Sequence, residues 1–176
     1  MTGPLQPPST GDAVMQKITP FLWFDRQAED AAKFYTGIFP NSRIKSVLQY
    51  DEAGSKASGM PAGTAMTVAF DLDGQEFVAL NGGPHFRINE AVSLVINCES
   101  QDEIDHYWKH LTAGGPVEAQ QCGWLKDRFG VSWQVVSVEA IRLLQGDDKA
   151  RAGRVMSAIL QMKKIDIAAV RKAAAQ

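Results

Sequence analysis

The chain has few of the residues and runs on which many common functions depend. It contains only two cysteines, Cys98 and Cys122, and no CxxC pair, which predicts reduced thiols in a cytoplasmic protein rather than a disulfide. No apolar run approaches the roughly 20 residues of a membrane span. Lysine and arginine total 18 against 20 acidic residues, with no basic stripe. We therefore predict neither nucleic acid nor a membrane as a partner.

Several catalytic signatures are also missing. The sequence contains no GxSxG nucleophile elbow and no P-loop, so it gives no support for the hydrolases and nucleotide enzymes that use those motifs. The N-terminus is rich in proline, glycine, serine and threonine, and it lacks the charged and apolar regions of a secretory signal. We predict that residues 1–16 form a flexible tail.

The first patterned unit covers residues 17–83. An apolar run at Ile18–Phe24 predicts a strand, and a helix-period stripe predicts a helix over Ala28–Phe39 that stops at Pro40. Asp73-Gly74 is a typical two-residue hairpin turn between alternating segments. The further predicted strands of this unit are 43–50, 64–73 and 75–81, with a polar loop at 51–63.

The same order of elements recurs over residues 84–138. A strand is predicted at Val92–Cys98, and Ser100 with Glu103 forms a capping box that starts a second helix. Strands at Val117–Trp124 and Val131–Val138 follow, with a hairpin turn between Asp127 and Val131. The chain therefore has the order βαβββ twice, and residues 139–176 are predicted to form a C-terminal helical extension.

Five segments together resemble the PhnB-like family, whose members are often labelled 3-demethylubiquinone-9 3-methyltransferase-like. This family is part of the vicinal-oxygen-chelate superfamily of glyoxalases, bleomycin-resistance proteins and dioxygenases. The resemblance covers about 17–138 and implies an α+β fold, in which two βαβββ modules form curved sheets around a cavity, often in a homodimer. The segments are ITPFLWF, AEDAAKFY, ALNGGP, SLVINC and FGVSWQVV.

The resemblance also identifies where a metal would bind. Metal-dependent members hold a divalent ion with His and Glu from the first and fourth strands of each module, and the matching positions here contain neither. We therefore predict no metal and no other cofactor. The turn Asp25-Arg26-Gln27-Ala28 also lacks the glycine-rich loop of typical methyltransferases. The four matching positions are Thr19, Ala79, Ala91 and Gln134.

Strand alternation then predicts which side chains face the cavity. They form an aromatic surface with a few neutral polar groups, which suits a small organic ligand. The alternative is that the same residues fill the interior of the fold. The alternation places Trp133 in the core. The predicted ligand-binding residues are Phe21, Trp23, Asn81, Ser93, Ser132 and Gln134.

The three histidines give the one candidate for acid–base chemistry. His106 and His110 are predicted on the surface of the second helix. His85 follows Gly82-Gly83-Pro84 and is either a general acid/base at the cavity mouth or a loop residue bonded to backbone.

Three functions remain open from the sequence. The first is a metal-independent homodimer that binds a small, partly aromatic molecule in the cavity between the modules. The second is an isomerase, lyase or transferase that uses this cavity with His85. The third is a structural or interaction protein that acts through its C-terminal helices.

Overall fold

The computed structural model describes residues 16–176. The predicted tail, 1–16, therefore lies almost wholly outside the described residues. The strands are β1 (Phe21–Phe24), β2 (Arg43–Gln49), β3 (Ala65–Leu72), β4 (Gln75–Asn81), β5 (Ser93–Cys98), β6 (Trp124–Lys126) and β7 (Ser132–Ser137). The helices are α1 (Ala28–Ile38), α2 (Glu52–Ser58), α3 (Gln101–Leu111), α4 (Val138–Gln145), α5 (Lys149–Ile159) and α6 (Ile167–Ala174).

The first sheet has the strand order β1-β4-β3-β2. Strand β1 runs parallel to β4, and the other neighbours are antiparallel. Asp73 and Gly74 form the predicted turn between β3 and β4, both with positive φ, which is the backbone that a type I′ hairpin requires. The loop predicted at 51–63 instead contains α2, because Asp51 caps its first turn and Gly59 ends it in the left-handed conformation.

The second sheet has only three strands, in the order β5-β7-β6. The prediction of a strand over Val117–Trp124 is wrong, since Val117–Ala119 form a 3₁₀ turn and β6 begins only at Trp124. The reason lies at Cys122 and Gly123, which have positive φ. Their amides donate to the carbonyls of Met162 and Lys163 in the C-terminal extension, so this segment cannot continue as a regular strand.

Helix α1 lies between the two sheets. The ring of Tyr35 is stacked 6.3 Å from Phe70 of β3 and lies 5.4 Å from Trp133 of β7. Trp133 is only 2% exposed, so the prediction that it belongs to the core is confirmed. The sides of both sheets that face α1 therefore share one hydrophobic core, which makes the fold an α+β architecture as predicted.

The C-terminal helices are anchored in this core. Ile165, which precedes α6, is buried in the same apolar cluster as the sheets. The Gln101 side chain of α3 donates to the Ile165 carbonyl and accepts from the Ile167 amide, and Lys164 pairs with Asp105 of α3. Among the helices of residues 16–176, none combines the length and apolar character needed to cross a membrane.

Candidate functional site

Each sheet has an open face, which we define as the side turned away from α1. Strand pairing puts Phe21 and Trp23 on the open face of the first sheet, and Ser93 and Gln134 on that of the second. Because both faces are turned away from the same helix, they do not face each other within one chain. A single chain therefore does not enclose the predicted cavity with these faces.

The open face of the second sheet contains a hydrogen-bonded pair of polar side chains. The Gln134 amide nitrogen donates to the Ser93 hydroxyl at 2.8 Å. Trp124 is the cross-strand neighbour of Gln134 on β6, and Val95 is its neighbour on β5. Both flanking side chains are open to solvent, at 36% and 50% exposure. Three kinds of contact (aromatic, apolar and hydrogen bonding) thus lie side by side.

The remaining predicted residue of this sheet, Ser132, also lies on the open face. It pairs with Ser93 on β5 and with Lys126 on β6. Its side chain is only 1% exposed, so it forms part of the floor of this face and is not accessible to a ligand.

The open face of the first sheet is aromatic. Phe21 is 58% exposed. The Trp23 indole nitrogen donates to the Gly83 carbonyl at 2.9 Å, and the Phe86 ring meets the indole edge-on at 4.9 Å. A Cβ atom at Gly82 would lie 2.2 Å from the indole, so the glycine allows Trp23 to pack against the turn.

The predicted orientation of Asn81 is wrong. In the parallel pairing of β1 and β4, Phe21 stands beside Val78, so Val78 and Leu80 share the open face. Asn81 instead faces α1, where its side chain accepts from the Ala28 amide and donates to the Ala65 carbonyl. It therefore caps the start of α1, because a helix leaves its first amides without intrahelical partners.

The four positions matched to metal ligands do not come together as a metal site. Ala79, like Asn81, faces α1 and is fully buried, while Thr19 and Ala91 precede β1 and β5. Only Gln134 lies within an open face. Across residues 16–176, no three His, Cys, Asp or Glu side chains are grouped closely enough to bind a metal ion. The residues present therefore do not fit a divalent ion.

The histidines are placed as surface and loop residues. His85 is exposed in the loop after β4, and within residues 16–176 its ring has no hydrogen-bond partner. His106 contacts the Ile38 carbonyl at 2.9 Å, and His110 contacts the His106 carbonyl at 2.7 Å. The His106 contact holds α3 against the end of α1, whereas the His110 contact lies within α3. The two imidazole rings lie 4.5 Å apart.

Charged side chains on the open faces are paired with one another. Lys45 bonds to Glu76 and lies 3.8 Å from Asp71 on the first sheet. On the second sheet, Lys126 bonds to Glu90, and this hydrogen bond lowers the pKa of the Glu90 carboxyl. Arg43 also lies 3.7 Å from Asp71. The open faces thus present little uncompensated charge.

A buried carboxylate that the sequence reasoning missed joins the two modules. Asp127 is 1% exposed and accepts from the Tyr35 hydroxyl and the Trp133 indole at 2.7 and 2.8 Å. The amides of Phe129 and Val131 donate to its other oxygen. Burial raises the pKa of the Asp127 carboxyl, against the opposing effect of these four hydrogen bonds. The pKa of Tyr35 is raised well above its usual value by burial and by the Asp127 charge.

Two pockets lie near the junction of the modules. One, of about 490 Å³, is lined on the α1 side by Phe39, Phe77, Tyr107 and Trp133, and Ser93 is the one predicted ligand-binding residue at its wall. A second, of about 250 Å³, lies beside Trp23 and includes Phe86 and Phe129. Neither pocket combines the predicted residues of both modules.

Comparisons with known proteins give a family match and several similar solved structures. The family described as 3-demethylubiquinone-9 3-methyltransferase matches residues 16–136. A PhnB protein from Bacillus cereus shares 36% sequence identity and a TM-score of 0.61, over 70% of this chain and 100% of that chain. Protein PA1353 from Pseudomonas aeruginosa shares 22% identity and a TM-score of 0.52, over 70% and 98% of the two chains. FosX, a fosfomycin resistance protein from Listeria monocytogenes, shares 13% identity and a TM-score of 0.47, over 70% and 92%.

No curated protein matches the chain. The family match ends at residue 136, so α4 to α6 lie beyond it. The predicted resemblance to PhnB-like proteins is confirmed by the family match and by the Bacillus cereus structure. The chain belongs to the 3-demethylubiquinone-9 3-methyltransferase family.

Proposed function

We propose that this protein is a metal-independent homodimer that binds a small, partly aromatic organic molecule. In this proposal the ligand lies between the open face of the first sheet of one copy and that of the second sheet of the other. The observation that carries the proposal is the pair formed by Gln134 and Ser93, set beside the exposed Trp124 on an open face. A few fixed polar groups in an apolar setting are typical of small-molecule sites.

The arrangement of free strand edges supports the dimer. Among the strands of residues 16–176, β1 pairs only with β4 and β5 only with β7, so each is an edge strand of its sheet. Exposed edges and apolar sheet faces are normally covered in native proteins. If β1 of one copy lay beside β5 of a second copy, the two open faces would join into one curved wall. Phe21 and Trp23 would then approach Gln134 and Trp124 of the other copy.

Metal independence rests on the residue types at the open faces. The β4 side chains that share the face of Phe21 and Trp23 are Val78 and Leu80, which have no ligand atoms. Glu76, the carboxylate of β4 on that face, is bonded to Lys45. A Lewis-acidic centre needs several converging imidazole or carboxylate groups, and these faces do not supply them.

Methyl transfer is not part of this proposal, although the family description contains the word methyltransferase. Typical methyltransferases bind their cofactor on a doubly wound parallel sheet, at a glycine-rich loop after the first strand. Here the first sheet is mostly antiparallel, and the turn after β1 is Asp25-Arg26-Gln27. The part of the chain that the structure describes therefore offers no comparable site for S-adenosylmethionine.

The two alternative functions gain no comparable support. His85, the candidate acid/base, is exposed, and within residues 16–176 its ring has no hydrogen-bond partner. The start of α6 is held against α3 of the same chain, through Gln101 and Asp105. A cytoplasmic location also stays a proposal, and the free thiols of Cys98 and Cys122 are consistent with it.

The test combines assembly and binding. Sedimentation should give a dimer, and a ligand-observed NMR screen of small aromatic compounds should give hits that quench tryptophan fluorescence. Trp124→Ala and Gln134→Ala should weaken those hits about ten-fold, since each removes a contact of about 1–2 kcal/mol. The matched control is Met156→Ala, an exposed position on α5. Hits that bind both open-face variants as tightly as the control would remove the proposed site.

A further inference from the structure

We propose that the open-face site selects an uncharged aromatic molecule with a hydrogen-bond donor and acceptor side by side, as in a primary carboxamide. This inference rests on the proposed function and names the ligand class of the same site. It follows from three properties of the open face of the second sheet. These are the orientation of the Gln134 amide, the pairing of the charged Lys126 with Glu90, and the position of Trp124.

The orientation of the Gln134 amide defines the polar half of the site. Its nitrogen donates to the Ser93 hydroxyl at 2.8 Å. Within residues 16–176, neither the Gln134 carbonyl oxygen nor the Ser93 hydroxyl hydrogen has another partner. The pair therefore presents one acceptor and one donor next to each other. A ligand must supply the opposite set, because an unmatched polar group costs about 1–3 kcal/mol when it is buried.

The charges around this pair disfavour an ionised ligand. Among the side chains that β5, β6 and β7 place on the open face, Lys126 is the charged one, and Glu90 already neutralises it. On the first sheet, Lys45 and Arg43 are paired with Glu76 and Asp71. A carboxylate or ammonium ligand would lose its hydration shell without gaining a free counter-ion, and burial of an unpaired charge is costly.

The aromatic half of the site is Trp124. It stands directly opposite Gln134 in the antiparallel pair of β6 and β7, and such cross-strand neighbours have Cβ atoms about 4.5–5.5 Å apart. An aromatic ring that packs on the Trp124 indole can therefore place a substituent attached directly to the ring against the Gln134 amide. The exposed Val95, on the other side of Gln134, adds an apolar contact for the same ring.

Three probes of similar size test this inference on the full-length protein: benzamide, benzoate and benzylamine. Affinities are measured by ligand-observed NMR and by quenching of tryptophan fluorescence at pH 7. Benzamide should bind about ten-fold more tightly than either charged probe, since its amide matches both groups of the pair. Gln134→Glu should reverse the order in favour of benzylamine, because the new carboxylate attracts an ammonium and cannot donate to Ser93.

The control is Gln145→Glu, which makes the same change in net charge at an exposed position of α4 and should leave the order unchanged. Benzoate or benzylamine binding as tightly as benzamide, with loss in Trp124→Ala, would overturn the uncharged class while leaving the open-face site standing. If Gln134→Glu and Gln145→Glu shift the order equally, the selection comes from net charge and the inference fails. If no compound of the screen binds, the proposed function itself fails.

Discussion

Removal of the Tyr35 hydroxyl should measure how strongly the two modules are joined. In Tyr35→Phe the ring keeps its contacts with Phe70 and Trp133, but the 2.7 Å bond to Asp127 is lost. Tyr35 has no exposed surface and Asp127 has 1%, so water cannot replace the missing donor. The substitution therefore isolates one hydrogen bond to a buried carboxylate.

The expected loss follows from the chemistry of this bond. Hydrogen bonds to charged groups contribute about 1.5–3 kcal/mol to stability, and a buried acceptor left with fewer donors lies at the upper end. Asp127 retains the Trp133 indole and the amides of Phe129 and Val131, so complete loss of folding is not expected. We expect Tyr35→Phe to lower the free energy of unfolding by about 2–3 kcal/mol.

The assay is urea denaturation followed by tryptophan fluorescence. The urea concentration at the midpoint of unfolding should be lower in Tyr35→Phe, and the dependence of the free energy of unfolding on urea concentration should be unchanged. The matched control is Tyr107→Phe, because Tyr107 is half-buried and its hydroxyl makes no hydrogen bond within residues 16–176. That variant should lie within about 0.5 kcal/mol of the wild type. Equal effects of the two substitutions would refute the idea that the Asp127 network joins the modules.

Three further predictions concern the same core and the site. Burial raises the pKa of Asp127 in the folded state, so its contribution to stability is present below about pH 4 and is lost as the pH rises through the folded-state pKa. The free energy of unfolding, measured relative to Asp127→Asn, should therefore fall as the pH is raised from about 4. A rise over the same pH interval would contradict this prediction. Gly82→Ala should lower the free energy of unfolding by about 1–3 kcal/mol, measured by heat or urea, because the new Cβ would clash with the Trp23 indole. Gly37→Ala is the control: its Cβ would meet open space, so it should stabilise α1 by about 0.5–1 kcal/mol. Ile165→Ala should lower the free energy of unfolding by about 2–5 kcal/mol in the same assay, because it opens a cavity under the C-terminal helices. A loss as small as that of Met156→Ala, at an exposed position, would show that these helices are only loosely attached.

Local signals in the sequence predicted the order of elements well. The Asp73-Gly74 turn forms as expected, and Ser100 caps α3 by accepting from the Glu103 amide. The Glu103 carboxylate accepts from the amide of Glu99, one residue before the expected Ser100. Each depends on residues within four positions of one another, so the signal and the structure coincide. The missed strand at Val117–Trp124 depends instead on Met162 and Lys163, which contact it from about 40 residues away. No local pattern reports such a contact.

The Asp127 network shows the same limit for buried polar groups. From the sequence, an acidic residue beside a hairpin turn is expected at the surface, because carboxylates are rarely buried unless they are paired. The donors that make burial possible are Tyr35 on α1 and Trp133 on β7. The sequence contains a usable signal only in combination, as an acid that precedes a turn and a tryptophan six residues later.

The candidate site was predicted unevenly for a related reason. Alternation shows that successive residues of a strand point to opposite faces. Which of the two sets faces the ligand can be decided only when the sets differ in polarity. In β7 the polar Ser132 and Gln134 alternate with Trp133 and Val135, so the two faces are distinguishable. This alternation agrees with the match to the family pattern that placed Gln134 towards the cavity. In β4 the two faces differ less, since each combines apolar residues with at least one polar residue, Glu76 on one face and Asn81 on the other. The prediction for β4 therefore depended on Ala79, the position matched to a metal ligand. An asparagine that caps a helix and one that binds a ligand look alike in sequence, and only the pairing of β4 with β1 separates them.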